Sequence, residues 1–277
     1  EDLDSHLNAE IAMGTIRDLD DVMSWLETTF YYRRAQSNPA AYDFEDLRSR
    51  VRDVLDRLVS RGFVEMDDDL SIDATPLGRL TSKYYLRLGT ASRFADLAER
   101  DRITADDILE TVAGAADFRQ VSARQSEVDA VDSVLTGVST TLEDGPKKVL
   151  AILHASMANS TPSELRSDAW VIKQNALRLL SALREFLDTF VDARAANLAK
   201  RVEARVDNGV SSDAAALTAV DGIGPGRARK LATGGLSTPA DVVDAGVKEL
   251  TRAGLAQGVA ERVIGNVDVP VMVVNIE

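Results

Sequence analysis

Between Leu217 and Leu231 the sequence runs Leu-Thr-Ala-Val-Asp-Gly-Ile-Gly-Pro-Gly-Arg-Ala-Arg-Lys-Leu, and no other stretch restricts the local backbone as tightly. Glycines at 222, 224 and 226 flank Ile223, and Pro225 sits where a helix would take its first residue. This pattern predicts an apolar helix end, a tight turn, and a second helix with the small Ala228 facing inward: a helix-hairpin-helix. Glycines allow the turn and also let an external backbone approach without a Cβ in the way. The second helix would then aim its first N–H groups and its positive dipole end at a phosphate. Arg227, Arg229 and Lys230 add positive charge beside it. Gly222, Ile223, Gly224, Gly226, Arg227, Arg229 and Lys230 are therefore candidate nucleic-acid-binding residues. Contacts of this type grip a sugar–phosphate backbone and carry no base information.

The remaining sequence is dominated by helical spacing. Leu7, Ile11 and Met13 mark a first short helix. Val22, Leu26, Thr29 and Phe30 mark a second, capped by Asp20 or Asp21. After a polar stretch at Ser37–Ala41, the residues Phe44, Leu47, Val51, Val54, Leu55 and Leu58 form a longer helix that Gly62 ends. Phe63–Met66 and Leu70–Ile72 flank Asp67-Asp68-Asp69 as two short strands about an acidic turn, a winged-helix arrangement. Thr75 is the expected N-cap, and Pro76 the first residue, of the next helix. Thr104 caps a helix over 105–113, and Ser122 or Ser126 caps another. Gly145-Pro146 precedes one over 147–158, and Thr161-Pro162 opens the next. The longest periodic run is Asp168–Asp192, and two short helix pairs follow from Ser211 to Asn266. No tandem repeat and no low-complexity tract is evident. The fold class is mainly α: a winged-helix domain over 1–90, a helical bundle over 91–210, a helix-hairpin-helix domain over 211–266, and a β-branched tail over 267–277 that reads equally as a strand or a linker. With Glu1 opening directly on a helical pattern, the sequence reads as part of a longer protein.

A formal net charge of −13 runs against binding a polyanion. The charge is segregated, however. Asp101–Asp144 holds ten acids and three bases, a net of −7; Arg166–Arg205 holds eight bases and five acids, a net of +3; Gly222–Gly235 holds three bases and no acid. Local sign outweighs the total, and an acidic surface also suits a high-salt cytoplasm. The chain has no cysteine, which excludes disulfides, thiolate metal sites and a Cys nucleophile. Its two histidines, His6 and His154, have no ligand spacing, and His154 reads as a packing residue. No metal site and no catalytic residue are expected. Without a signal peptide or an apolar span, a cytoplasmic location away from membranes is expected.

A second candidate surface lies on the long helix. Trp170, Lys173, Gln174, Leu177 and Arg178 recur at three, four, seven and eight residues and can share one face. An aromatic ring beside Lys, Gln and Arg suits a surface on which bases stack. The same residue types also fit a helix whose Trp170 is core and whose cations are merely solvated. No Gly-x-x-x-x-Gly-Lys-Ser/Thr loop occurs; Gly145-Pro146-Lys147-Lys148 lacks both the leading glycine and the hydroxyl. No cofactor is therefore expected in this chain.

Several stretches together resemble the region that follows the motor in superfamily 2 helicases of the Ski-two-like type, which include archaeal DNA repair helicases related to polymerase theta and Brr-type spliceosomal enzymes. Gly14-Thr15-Ile16, Thr28–Tyr31, Val54–Phe63 and Thr75–Tyr85 resemble their winged helix. Asp168–Leu183, Gly209-Val210 and Leu217–Leu231 resemble their Sec63-like ratchet bundle and terminal hairpin. The resemblance implies RecA-like motor domains in the same polypeptide, where ATP and Mg would act. It also implies a winged helix packed on that motor, and a ratchet helix matching Asp168–Asp192 that touches the translocating strand. Single-stranded or branched DNA is the implied partner, with RNA possible. A motor-free DNA-binding adaptor and an RNA helicase accessory region are the alternatives. In the winged helix, Arg48, Arg50, Arg52 and Arg57 alternate with Glu45, Asp46, Asp53 and Asp56, which favours domain packing over direct contact with DNA.

Overall fold

The computed structural model describes residues 2–28 and 44–267. The expected contributions of Thr29, Phe30 and Tyr31, the loop at Ser37–Ala41, and the tail over 268–277 lie outside the described residues, as do the side chains at 44–48. The fold is mainly α, and the chain divides into two compact units, Glu1–Glu99 and Arg100–Glu277.

The first unit contains α1 (Asp2–Ala12), α2 (Leu19–Thr28), α3 (Phe44–Ser60), a two-stranded antiparallel sheet, α4 (Pro76–Lys83) and α5 (Leu88–Ala98). Val51, Val54, Leu55 and Leu58 bury the inner face of α3 at the spacing the sequence shows. Gly62 ends that helix with φ +73°, and the N–H of Phe63 closes back on the carbonyl of Leu58. A left-handed residue at this point lets the chain reverse into β1 (Val64–Met66). The second strand, β2, is Ile72–Ala74 rather than the expected Leu70–Ile72, with Val64 opposite Ala74 and Met66 opposite Ile72. Leu70 takes φ +66° inside the turn and cannot continue a strand, while the N–H of Ile72 reaches the carbonyl of Arg17 at 2.7 Å. Met13, expected on a buried face, is 67% exposed, one residue past the end of α1.

Thr75 caps α4 as expected, accepting from the N–H of Gly78 and donating its hydroxyl to the carbonyl of Gly62. Gly78 is where α1, α4 and the α3–β1 turn converge. Asn8 Nδ2 donates to its carbonyl, and a Cβ built on it would stand 2.1 Å from the carbonyl oxygen of Phe63. Residue 90 lies inside α5, which belongs to this unit.

The second unit begins with α6 (Ala105–Ala113), closed by the expected Thr104 cap and a reciprocal bond from Asp107. A 3₁₀ turn over Gln125–Glu127 leads into α7 (Val128–Val134), so neither Ser122 nor Ser126 caps a helix; Glu127 is the residue before α7. The next helix, α8 (Asp144–Met157), carries Gly145-Pro146 within its first turn, where the sequence suggested that they precede it. A Cβ on Gly145 would meet the carbonyl oxygen of Val121 at 1.9 Å, so only glycine lets the 121–124 loop lie against that turn. Thr161-Pro162 does not open the long helix directly, because a 3₁₀ turn over Ser163–Leu165 intervenes.

The long helix is α9 (Arg166–Phe190), 25 residues, and α10 (Ala193–Asn208) packs back along it. Ile172, Ala176, Leu179, Leu180, Leu183 and Leu187 form its buried stripe. Past the left-handed Gly209 come α11 (Ser212–Ala215), a 3₁₀ turn over Ala216–Ala219, α12 (Pro225–Thr233), α13 (Pro239–Arg252) and α14 (Gln257–Asn266). These last helices share a core of Leu217, Ile223, Ala228, Leu231, Val242 and Val263, among others. Gly246, at φ 66° and ψ 172°, kinks α13 into two pieces. No helix among the described residues is long and apolar enough to cross a membrane.

Candidate nucleic-acid interface

Between Leu217 and Leu231 a 3₁₀ turn stands where a helix end was expected, and a glycine turn leads from it into α12. Leu217 is fully buried in the 3₁₀ turn, Ile223 plugs the same core at 2% exposure, and Ala228 and Leu231 close it from α12. Gly222 turns the chain at φ +89°, and a Cβ there would crowd Val263 at 3.3 Å, so the fold itself requires this glycine. Gly224 and Gly226 differ. Neither needs a positive φ, and a Cβ on either would meet open space. Gly224 is the N-cap of α12 and Pro225 its first residue. The carbonyl of Gly224 takes the N–H groups of Arg227 and Ala228, which leaves the N–H groups of Gly224 and Gly226 without an acceptor among the described residues. The bare, donor-rich edge of this turn therefore faces outward.

The three cations of α12 do not converge. Arg227 is exposed and donates to the carbonyl of Gly222 at 2.8 Å, and Lys230 is exposed. Arg229 points to the bundle instead, donating to the carbonyl of Gly209 at 3.1 Å. There it joins a cleft of about 640 Å³ with His154, Arg205 and Asp213. Burial holds the His154 imidazole below its usual pKa, and Arg205 adds to this while Asp106 opposes it. A neutral, half-buried ring suits the packing role read from the sequence.

On α9, Trp170 is 70% exposed and Val171 62%, which removes the reading of Trp170 as core. Gln174 is exposed beside them. Lys173 donates to the carbonyl of Asp207 at 2.7 Å, and Arg178 bonds Asp117 at 2.5 Å and Asn175 at 2.7 Å. Lys173 and Arg229, far apart in sequence, thus both meet carbonyls at the C-terminal end of α10, the negative end of its dipole. Outward-facing candidates are Trp170 and Gln174 on one surface, and Gly224, Gly226, Arg227 and Lys230 on another.

Two features escaped the sequence reading. One is a buried ion cluster at the base of α9. Lys148, 1% exposed, donates to both oxygens of Glu127, itself 1% exposed, at 2.9 and 2.8 Å; to Asp168 at 2.5 Å; and to the carbonyl of Ser122 at 3.3 Å. Burial would raise the Glu127 carboxyl, but Lys148, the Arg124 N–H and the Arg124 charge outweigh it and hold the group below its usual range. The bond from Lys148 lowers Asp168 despite burial, with help from Ser167 and Arg124. Gly145 and Lys148 of this stretch are therefore packed inside the bundle, with the Lys148 ammonium committed to carboxylates.

The other is an internal echo. Gly254, Leu255, Ala260 and Val263 stand 32 residues after Gly222, Ile223, Ala228 and Leu231. They repeat the positive φ of the glycine (+94° against +89°) and the burial of the three apolar residues. The signal was Gly-Leu-Ala-Gln-Gly-Val-Ala beside Gly-Ile-Gly-Pro-Gly-Arg-Ala, in which four of the seven residues differ.

Residues 74–273 match the Sec63 Brl domain, and residues 1–74 match a Winged Helix-turn-helix domain. The chain belongs to the Sec63 Brl domain family. Its similar relatives include activating signal cointegrator 1 complex subunit 3 of Rattus norvegicus, 30% identical over 67% of this chain and 9% of that protein. The probable ATP-dependent DNA helicase HFM1 of Xenopus tropicalis is 31% identical over 44% of the chain and 10% of the relative. The DExH-box ATP-dependent RNA helicase DExH14 of Arabidopsis thaliana is 29% identical over 66% and 9%. This Sec63 Brl chain is thus homologous to Ski2-like helicases, and spans about a tenth of the length of the relatives it matches.

Proposed function

We propose that this chain is the nucleic-acid-binding C-terminal portion of an ATP-dependent superfamily 2 helicase, and that it guides the translocating single strand during unwinding. One observation carries the reading: Gly224 and Gly226 are glycines that the fold does not need, at a turn whose free N–H groups face solvent. A strand phosphate can reach those donors only if no Cβ intervenes. Arg227 and Lys230 stand beside them, and the hairpin acts as a helix-hairpin-helix backbone grip. Trp170 and Gln174 form the second contact, a ratchet surface on which bases stack as the strand passes.

ATP and Mg would be used by RecA-like domains of the same polypeptide. The acidic wing, Asp67-Asp68-Asp69, would repel a phosphate backbone, and Arg57 of α3 is spent on Asp4 at 3.1 Å. Both favour a winged helix that packs on the motor. DNA processing at repair sites or forks is the setting we infer, in the cytoplasm. HFM1 is named a DNA helicase and DExH14 an RNA helicase, and grips of this kind serve either strand.

The test uses labelled single strands of DNA and RNA of matched sequence. Gly226→Ala should leave the fold intact, gaining about 0.5–1 kcal/mol of helix stability, yet weaken strand binding. Trp170→Ala should cost about 1–3 kcal/mol of binding with no loss of stability. Unchanged affinity in both variants, or no binding by the parent chain at low salt, would sink the proposal.

A further inference from the structure

The second unit carries a basic groove that neither the hairpin nor the Trp170 surface uses. It is an open cleft of about 790 Å³ between α9, α10 and the α11 turn. Arg184 enters from α9, and Arg194, Lys200 and Arg201 from α10, against Glu203 and Asp207, a local excess of two positive charges in a chain of net −13. Arg184 is held by Glu203 at 3.2 Å, and Lys200 lies within the field of that carboxyl. Arg194 and Arg201 are exposed and form no ion pair among the described residues. The far wall is small and apolar, formed by Ala215, Ala216 and Ala219, so a chain of sugars and phosphates could lie close to the guanidinium groups.

Position ties this groove to the strand path. Arg184 lies fourteen residues beyond Trp170 on α9, which returns it to within about 40° of the same helix face, about 21 Å along the axis. Trp170, Leu177, Ser181 and Arg184 thus run in one line that ends at the groove mouth. We propose that the groove binds the phosphodiester backbone of the strand that crosses the Trp170 surface, as a third contact separate from the hairpin. The inference rests on the strand-guiding reading above. Guanidinium forks suit phosphate oxygens, and an alanine wall offers no specific pocket for a peptide side chain.

Salt dependence of binding by the full chain tests it, with folding of each variant checked by its melting curve. Removing two phosphate contacts with Arg194→Ala/Arg201→Ala should lower affinity about tenfold at low salt. It should also flatten the slope of log affinity against log salt by roughly 1.4, at about 0.7 per contact for a single strand. Trp170→Ala should weaken binding and leave that slope in place. If the double variant keeps the parent slope and affinity while Trp170→Ala binds poorly, the groove proposal is overturned and the strand reading stands. If the parent chain binds no strand, both fall. Competition at the groove by poly-glutamate but not by an oligonucleotide, read from a photo-crosslinker at Asn197, would also overturn it, in favour of an acidic protein partner.

Discussion

Lys148→Met is expected to lower the unfolding free energy by about 3–5 kcal/mol, because it takes the buried counter-ion from a carboxylate and leaves it only Arg124. Glu127 is 1% exposed, and its charge is held by the ammonium that this substitution removes. Methionine, unbranched and only one heavy atom shorter than lysine, fills most of the space, so the loss reports charge far more than a cavity. The control is Lys148→Met/Glu127→Leu, which removes both buried ions and should recover most of the stability, leaving Asp168 to its 30% solvent access and Arg124. Chemical denaturation of the two variants checks this; equal stability of Lys148→Met and the parent would contradict it.

The same cluster sets an acid limit. Glu127 and Asp168 are depressed from ordinary values of 4.5 and 3.8. Each therefore contributes stability that is complete above its unfolded pKa and is lost as pH falls through the lower folded value. The parent should lose stability steeply below about pH 4, and Lys148→Met should show a shallower loss over the same range.

Gly78→Ala is expected to cost about 3 kcal/mol, the upper part of the usual range for forcing an extra carbon into a packed site. The contact at 2.1 Å is with the backbone oxygen of Phe63, which no rotamer change can move. Asn8 blocks the other side at 2.9 Å. Gly62→Ala gives the comparison: its Cβ meets nothing within 4 Å, so only its left-handed conformation, worth about 1–2 kcal/mol, is penalised. Melting of the two variants side by side should rank Gly78→Ala as the more damaging, and the reverse order would show that the close approach of α4 to the α3–β1 turn is not a tight constraint.

These contrasts explain what the sequence could and could not disclose. Gly62, Thr75-Pro76 and Thr104 were legible because caps act within four residues, on groups the sequence places side by side. The shift of β2 by two residues was not, since it depends on Arg17, fifty-five residues before Ile72. The mainly α fold followed from spacing, whereas the side on which α9 would be covered did not: Trp170 and Val171 look as apolar as the residues it buries. The partners of Lys173, Arg178 and Arg229 lie 34, 61 and 20 residues away, so residue type suggested free cations where the fold had already employed them. The glycine turn and the inward Ala228 followed from the sequence, whereas the expected helix end before the turn is a 3₁₀ turn. That two of the hairpin's three glycines serve no packing need emerged only from the space around them.

Asp168 also bears on how Trp170 meets a ligand. Helix ends fray, and Trp170 stands in the second turn of α9, where opening is cheapest. The ion cluster two residues earlier sews that end to α8 and to the Glu127 turn. The indole is thus presented by a helix that starts firmly, so that under the proposed strand-guiding function little backbone freedom would remain to be lost if a base settled on it. Loosening the seam at Lys148 should make the ring no less exposed, but, on the proposed function, a poorer step for a moving strand.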